Sequence, residues 1–407
     1  MRRALALVLA ALAPVAAAGC GGGNASTTRI TSDTLTIYTS LPLRGEREAD
    51  GRAVLRGQKL ALEEAGGRVG DLEIGLVALD DTRTSTGRWD PAEVAANARE
   101  AAENPSTIAY IGDLDSGASA VSVPIVNEIG VLQVSPLSGY TGLTQVADKG
   151  EPAKYYPSGK RTFARLVPTG AREALGLADW IRDLGLSRVT LVHDGLQEGL
   201  GHGTELERVL RRAGIAVVRS IRVAPREDPP DVSGAVRDVL RGPAVPLVYA
   251  GGSTSTASAL LGAVAERAPA KQLFATSGVA SPRLAAALGD LETLRVVSPL
   301  LPLGERPPAA QRMAARYREL FDAPAPPTAL YGYEAMRSVL DAIRRAGKDG
   351  NDRQAVIDSY LGNSVARSVL GPYSVSEDGD VAGAAIGGFS VRAGRLRLER
   401  LVAAPAD

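Results

Sequence analysis

Short apolar runs of β type alternate with longer amphipathic runs along most of this chain. Residues 35–39 read as a first strand. Residues 52–64 follow as a helix, with Val54, Leu55, Leu60, Ala61 and Leu62 on one broad face, and Gly66 and Gly67 stop it. Residues 72–79 form the next strand. Asp90, Pro91 and Glu93 then open a helix, because Asp90 is a cap, proline fits the first helical position and Glu93 completes a capping box. That helix ends before Pro105, and a strand at 107–111, a helix at 118–128 and a strand at 131–134 follow. After an irregular segment at 148–161 the alternation resumes. Strands are expected at 188–192, 215–223, 246–249 and 272–274, and helices at 171–184, 204–213, 231–240 and 257–267. Such alternation predicts an α/β fold with a parallel sheet and helices on both faces. Two series of units predict two doubly wound lobes. Ligands of such sheets bind beyond the carboxyl ends of the strands, so the strand-end turns are where function is expected.

The N-terminus has a different character. Arg2 and Arg3 precede an Ala, Leu and Val run at 4–18. The run is shorter than the roughly 20 apolar residues that span a bilayer, and it has the charge and length of a secretory signal. Its ending, Ala17-Ala18-Gly19-Cys20, resembles the bacterial lipobox. That resemblance implies cleavage before Cys20 and lipid attachment to its thiol. Cys20 is the only cysteine in 407 residues, so no intrachain disulfide is available and the fold must rest on its core. Gly, Asn, Ser and Thr dominate the following stretch, giving a signal at 1–19 and a flexible tether at 20–33. No later segment is apolar for 18 residues, so lipid is the expected membrane contact.

Composition narrows the function. Lys+Arg and Asp+Glu both number 46, and a neutral surface argues against a nucleic acid partner. Aromatics make up 4%, too few for the aromatic platforms usual in a sugar site. His193 and His202 are the only histidines and fit no zinc spacing, so no metal site is expected. No Gly-x-Ser-x-Gly elbow with a histidine partner, Walker loop or dinucleotide fingerprint is present. Asp80 and Asp81 are read as a solvated strand-end pair. The chain is therefore expected to be no enzyme and to carry no cofactor.

The strand-end residues resemble the type I periplasmic binding proteins, specifically the branched-chain amino acid and amide receptors of ABC importers. The segments that carry the likeness are IYTSLPLRG at 37–45, Asp80-Asp81, YIGDLDSG at 110–117 and QVSP at 133–136. In the second half they are LVHD at 191–194, VYAGG at 248–252, YGYEA at 331–335, GPYS at 371–374 and EDGD at 377–380. The resemblance implies three crossings between lobes, near Val167 and Pro168, near Val297 to Pro299, and near Gly371 and Pro372. The N-terminal lobe is then 34–167 with 299–371, and the C-terminal lobe 168–298 with 372–407.

The family holds an amino acid's carboxylate with backbone N–H groups and hydroxyls. Ser116 and Gly117, at the start of the helix near 116, are the matching anion site, since a helix N-terminus carries unpaired N–H groups and partial positive charge. Ser116 as a cap of its own helix is compatible with that role. After the fourth strand come Leu137, Ser138 and Gly139. The family's hydroxyl position matches Gly139, leaving Ser138 or the backbone alone as the contact. In the second lobe the family's two aromatics match Glu198 and Ser253, and its ammonium-holding carboxylate falls on 275–278, where Ser277 stands and no acid does. Glu198 is either a substitute negative charge or a solvated surface residue. Tyr155, Tyr156 and Lys160 in the irregular segment either drape over the cleft mouth or form an ordinary surface loop, and Trp89 either lines the rim or packs.

These expectations converge on an exported lipoprotein on the outer face of the cytoplasmic membrane. It would be a monomer that captures a small polar, amino acid-like ligand between its lobes and passes it to ABC permease subunits. Sensing for a membrane receptor, or capture of a sugar or short peptide, are the alternatives.

Overall fold

The computed structural model describes residues 28–194, 197–223 and 230–402. The expected signal and Cys20 lie outside the described residues. The tether does not stay free up to residue 33. The Thr28 hydroxyl donates to Asp352 at 2.7 Å, the Ile30 N–H donates to the Asn351 carbonyl at 2.8 Å, and Ile30 is buried in the first lobe.

Two large sheets organise the described chain. The first runs Arg68–Val69, Leu72–Asp80, Thr34–Leu41, Thr107–Ile111, Leu132–Ser135, Phe163–Arg165. All neighbours are parallel except the short first pair. Its central strand Thr34–Leu41 is buried on both faces, which is why it reads as a continuous β-type run rather than an alternation. Ala98, Ala101, Val126 and Val131 cover one face from the helices Pro91–Glu103 and Ser116–Glu128 and the turn after them. The helices Pro327–Ala346 and Arg353–Tyr360 cover the other.

The second sheet runs Ala216–Arg222, Arg188–His193, Leu247–Ala250, Leu273–Ala275, Leu291–Ser298, Ile386–Arg392, Arg395–Val402. Its first five strands are parallel and the last two form an antiparallel hairpin. Two separate apolar clusters, one on each face, are built around Leu177, Ile181 and Leu210 and around Leu260, Leu261 and Val264. The doubly wound α/β class expected from the alternation is the class the chain adopts, with an antiparallel edge that the periodicity does not announce.

Local signals are met with small corrections. Asp90 caps its helix by accepting the Ala92 N–H at 3.0 Å, but its own N–H donates to the Asp81 carbonyl at 2.9 Å, so a capping-box return from Glu93 has no donor to take. The helix expected at 52–64 starts at Glu48, and the one expected at 118 starts at Ser116. The first long helix, Glu48–Glu64, crosses Pro327–Ala346 at backbone contact. A Cβ at Gly57 would lie 2.1 Å from the Ala329 carbonyl oxygen, and one at Gly332 would lie 2.1 Å from that of Val54.

Val167 packs in the first lobe's core and Ala174 in the second's, and the second-sheet strand ending at Ser298 is followed by Leu300, which packs against the first lobe's core. The Pro299 carbonyl accepts from the Tyr331 hydroxyl at 2.8 Å and from Arg306 at 2.9 Å, which pins the second crossing to the first lobe. The last passage falls later than Gly371 and Pro372. Tyr373, Val375 and Val381 pack in the first lobe's core, and Ile386 is the first residue back in the second sheet. Their apolar faces, not the Gly-Pro pair, decide where the chain leaves.

Candidate functional site

An interlobe cleft lies at the carboxyl ends of the parallel strands, as the topology requires. It has two connected chambers. The inner one has an empty volume of about 690 Å³, with Ser116, Leu137 and Gly139 on the first lobe, Glu173, Ser277 and Gly278 on the second, and the crossing residues Pro168 and Pro299 beside them. The outer one has about 750 Å³, between Glu46, Arg88 and Trp89 on one side and Gly252 and Ser253 on the other. Arg47, Asp115 and Gly252 line both.

Ser116 is the first residue of its helix and Asp115 precedes it as the N-cap, with no side-chain capping bond. The helix therefore begins at the chamber wall with its first-turn N–H groups unpaired by helix geometry. The Ser116 hydroxyl oxygen accepts the Tyr140 N–H at 3.1 Å, which leaves its O–H to donate. Asp115 would repel an anion here, but the Arg47 guanidinium pairs with it at 2.5 Å and offsets its charge.

The turn after the fourth strand is split. Leu137 and Gly139 line the inner chamber. Ser138 does not: it is fully buried, its hydroxyl shares a 2.7 Å bond with that of Ser119, and it lies 3.1 Å from the Asp113 carbonyl. The serine expected as a substitute ligand contact is spent on holding the turn. Gly117 is likewise buried and absent from the chamber lining.

On the second lobe an acid is present after all. Glu173 projects from the helix Gly170–Asp183, which Thr169 caps directly after the first crossing. Its two carboxylate oxygens accept from Ser277, one from the N–H at 2.7 Å and one from the hydroxyl at 2.5 Å. Burial pushes the Glu173 carboxyl up to about 7, against the opposing pull of those two bonds. The position that resembles the family's acid, Ser277, thus holds an acid supplied by another element. The signal available in the sequence was an acid in the first turn of the helix that Thr169 caps.

Ser253 lines the outer chamber, yet its hydroxyl accepts the Thr256 N–H at 3.3 Å and caps the helix Thr254–Arg267. Buried Asp194 accepts the N–H groups of Gly252 and Ser253 at 2.7 and 2.8 Å, fixing this turn. The side chain of Glu198 lies outside the described residues. Tyr155 and Tyr156 are buried away from both chambers in a cluster with Val123, Leu143 and Phe163, and their hydroxyls donate to Glu151 at 3.0 Å and to the Leu143 carbonyl at 2.7 Å. The irregular segment packs on its own lobe and supplies no aromatic to the cleft. Trp89 does line the outer chamber.

The Asp80 and Asp81 pair is not solvated. Asp80 accepts the N–H groups of Leu43 and Thr82 at 3.1 and 3.0 Å and closes the strand-end turn. Asp81 is fully buried, and neither of its carboxylate oxygens has a hydrogen-bond partner among the described residues. Burial, reinforced by the carboxylates of Asp113, Asp115 and Asp80, pushes it up to about 9, so it is protonated at neutral pH. Among the described residues no group of three His, Cys, Asp or Glu is placed to hold a metal ion.

Solved structures with this architecture are numerous. A leucine binding protein, LivK, from Thermotoga maritima shares 22% identity at a TM-score of 0.76, over 90% of this chain and 98% of that one. LivJ from Streptococcus pneumoniae, solved with isoleucine, shares 17% at 0.74, over 91% and 100%. A solute binding protein from R. palustris, solved with benzoate, shares 19% at 0.75, over 92% and 98%. At these identities the likeness establishes the fold. No curated protein sequence matches. The family model described as periplasmic binding protein matches residues 34–391, and the chain accordingly belongs to the periplasmic binding proteins, a family of solute receptors rather than enzymes.

Proposed function

We propose that this protein is the extracytoplasmic receptor of an ABC importer and captures an amino acid or a closely related small zwitterion between its lobes. The observation that carries the reading is the facing pair in the inner chamber. Ser116 and its helix N-terminus offer donors to a carboxylate, and the Glu173 carboxyl, held by Ser277, offers an acceptor to an ammonium. The two come from different lobes, so closure brings both ends of one ligand into contact. Ligand binding then favours the closed arrangement by its differential contacts. Delivery to permease subunits rests on the likeness to importer receptors, and the monomeric state is inferred from the receptor fold.

A thermal-shift panel of amino acids, amides, carboxylates and sugars tests this. A ligand at a hundred times its dissociation constant adds about 2.7 kcal/mol, seen as a raised midpoint. An amino acid is expected to produce that rise, and Ser116→Ala to lower the affinity about tenfold through loss of a hydrogen bond to a charged group. A rise with sugars alone would sink the assignment.

One observation favours a second reading, a carboxylate without an ammonium. Glu173 titrates near neutrality, so it accepts a cation or, once protonated, tolerates a ligand that has none.

The lipid anchor rests on Ala17-Ala18-Gly19-Cys20, and Thr28 and Ile30, a few residues later in sequence, bond to the first lobe. Cys20→Ser is expected to shift the protein from the membrane to the soluble fraction. Retention of the variant on membranes would count against lipidation.

A further inference from the structure

We infer that the outer chamber is a slot for a planar ring, and that the ligand is bipartite: a compact polar head joined to an aromatic group that lies on Trp89. The inference rests on the receptor reading above and specifies its substrate class. Three observations carry it.

The first is continuity. The outer chamber opens from the inner one through Arg47, Asp115 and Gly252, which line both. A short amino acid held at Ser116 and Glu173 leaves that outer space to water.

The second is the facing wall. Gly252 meets the outer chamber with backbone alone, beside Ser253, and Gly251 before it lines the inner one. Behind Gly252 the chain is held close to its support. A Cβ at Gly251 would lie 2.4 Å from a carboxylate oxygen of buried Asp194, and one at Gly278 would lie 2.3 Å from the Gly251 carbonyl oxygen. The Gly252 and Ser253 N–H groups are taken by Asp194 as well, so the wall offers a flat surface and few donors.

The third is how Trp89 is held. It ends a two-stranded ribbon in which Thr82 pairs with Trp89 and Arg83 with Arg88. The ribbon's turn residue Gly87, at φ +61°, lies against Gly45, where a Cβ would come within 2.0 Å of the Gly87 carbonyl oxygen. Arg83 pairs with Asp90 at 2.5 Å and Arg44 with Asp80 at 2.9 Å, fastening both ends of the ribbon to the lobe. The indole is thus a fixed platform and not a loose surface residue. Glu46 and Arg88 beside it are placed to meet a polar substituent on the ring. Aromatic rings stack face to face or edge to face with gains beyond simple burial.

Tryptophan fluorescence reads the slot directly, because the chain has two tryptophans and the other, Trp180, is buried in the second lobe's core. The full chain in detergent would be titrated with L-alanine and L-tryptophan, and with benzoate and biphenyl-4-carboxylate, calorimetry giving the affinities and the two carboxylates the emission change. The larger member of each pair is expected to bind about tenfold or more tightly than the smaller. Biphenyl-4-carboxylate is expected to change the emission of Trp89. Trp89→Ala should abolish both effects, and Trp89→Phe should retain most of the affinity gain. Equal binding of small and large probes, or a gain that survives Trp89→Ala, overturns the slot and leaves the receptor reading standing. Failure of all four to bind overturns the receptor reading and the slot together.

Discussion

Glu173→Gln is expected to weaken binding of an amino acid at least tenfold and to remove the pH dependence of that binding. The carboxyl sits near 7 in the unliganded cleft because burial disfavours its charge. An ammonium requires it ionised. Below pH 7 the ligand must first displace the proton, so wild-type affinity rises about tenfold per pH unit up to that point and levels off above it. A carboxylate lacking an amine gives the opposite slope, because the ionised acid repels it, and its affinity falls as pH rises through 7. Glutamine keeps the shape and takes no part in the titration, so both slopes vanish. Truncating one partner of a buried charge pair costs about 2–5 kcal/mol, which exceeds a tenfold loss. Calorimetric titration from pH 5 to 9 separates the cases, and a flat wild-type profile for every ligand that binds would remove Glu173 from the site.

The second large effect is on stability. Asp81→Asn is expected to leave the protein more stable than the wild type at pH 8, with the gap closing toward acid. In the unfolded chain this carboxyl has its ordinary value of 3.8, and in the folded lobe it stands at about 9. Between the two the folded state holds a proton that the unfolded state has lost. Stability from this group is thus complete below 3.8 and declines as pH rises, by about 1.4 kcal/mol per unit at most, until it is lost above 9. Asparagine cannot ionise. Asp113, pushed up to about 7 by burial, adds a slope of the same sign in both proteins, so the difference between them reads Asp81 together with its coupling to Asp113. Urea denaturation at pH 5, 6, 7 and 8 measures it. A gap that stays constant across that range would mean Asp81 is ionised in the folded state.

Much of the architecture was legible from spacing. The helix that Asp90 caps and the strand at 107–111 follow from capping chemistry and apolar period, which act over a few residues. The C-terminal hairpin Ile386–Arg392 and Arg395–Val402 was not announced, because its Gly387 and Gly388 interrupt the apolar pattern. They are glycines since Trp180 and Leu301 approach their Cα atoms, a contact made across more than 80 residues of sequence. The site divides the same way. Ser116 lines the inner chamber, and a serine at a helix start after a strand is a local pattern. Ser138 looked equivalent, but its partners Ser119 and Asp113 turn it inward.

By itself the sequence determined the alternation of strands and helices, the turns at which a ligand is expected, and the resemblance that membership of the family makes good. These depend on period, caps and the order of short motifs, all of which are read along the chain. Only the tertiary structure decided which acid meets Ser277, that Asp81 is buried beside three other carboxylates, that Tyr155 and Tyr156 serve their own lobe, and that Trp89 shares a chamber with Gly252 and Ser253. Each of those is a meeting of residues from different elements or lobes, and burial, charge and contact between distant segments come into being only when the lobes pack.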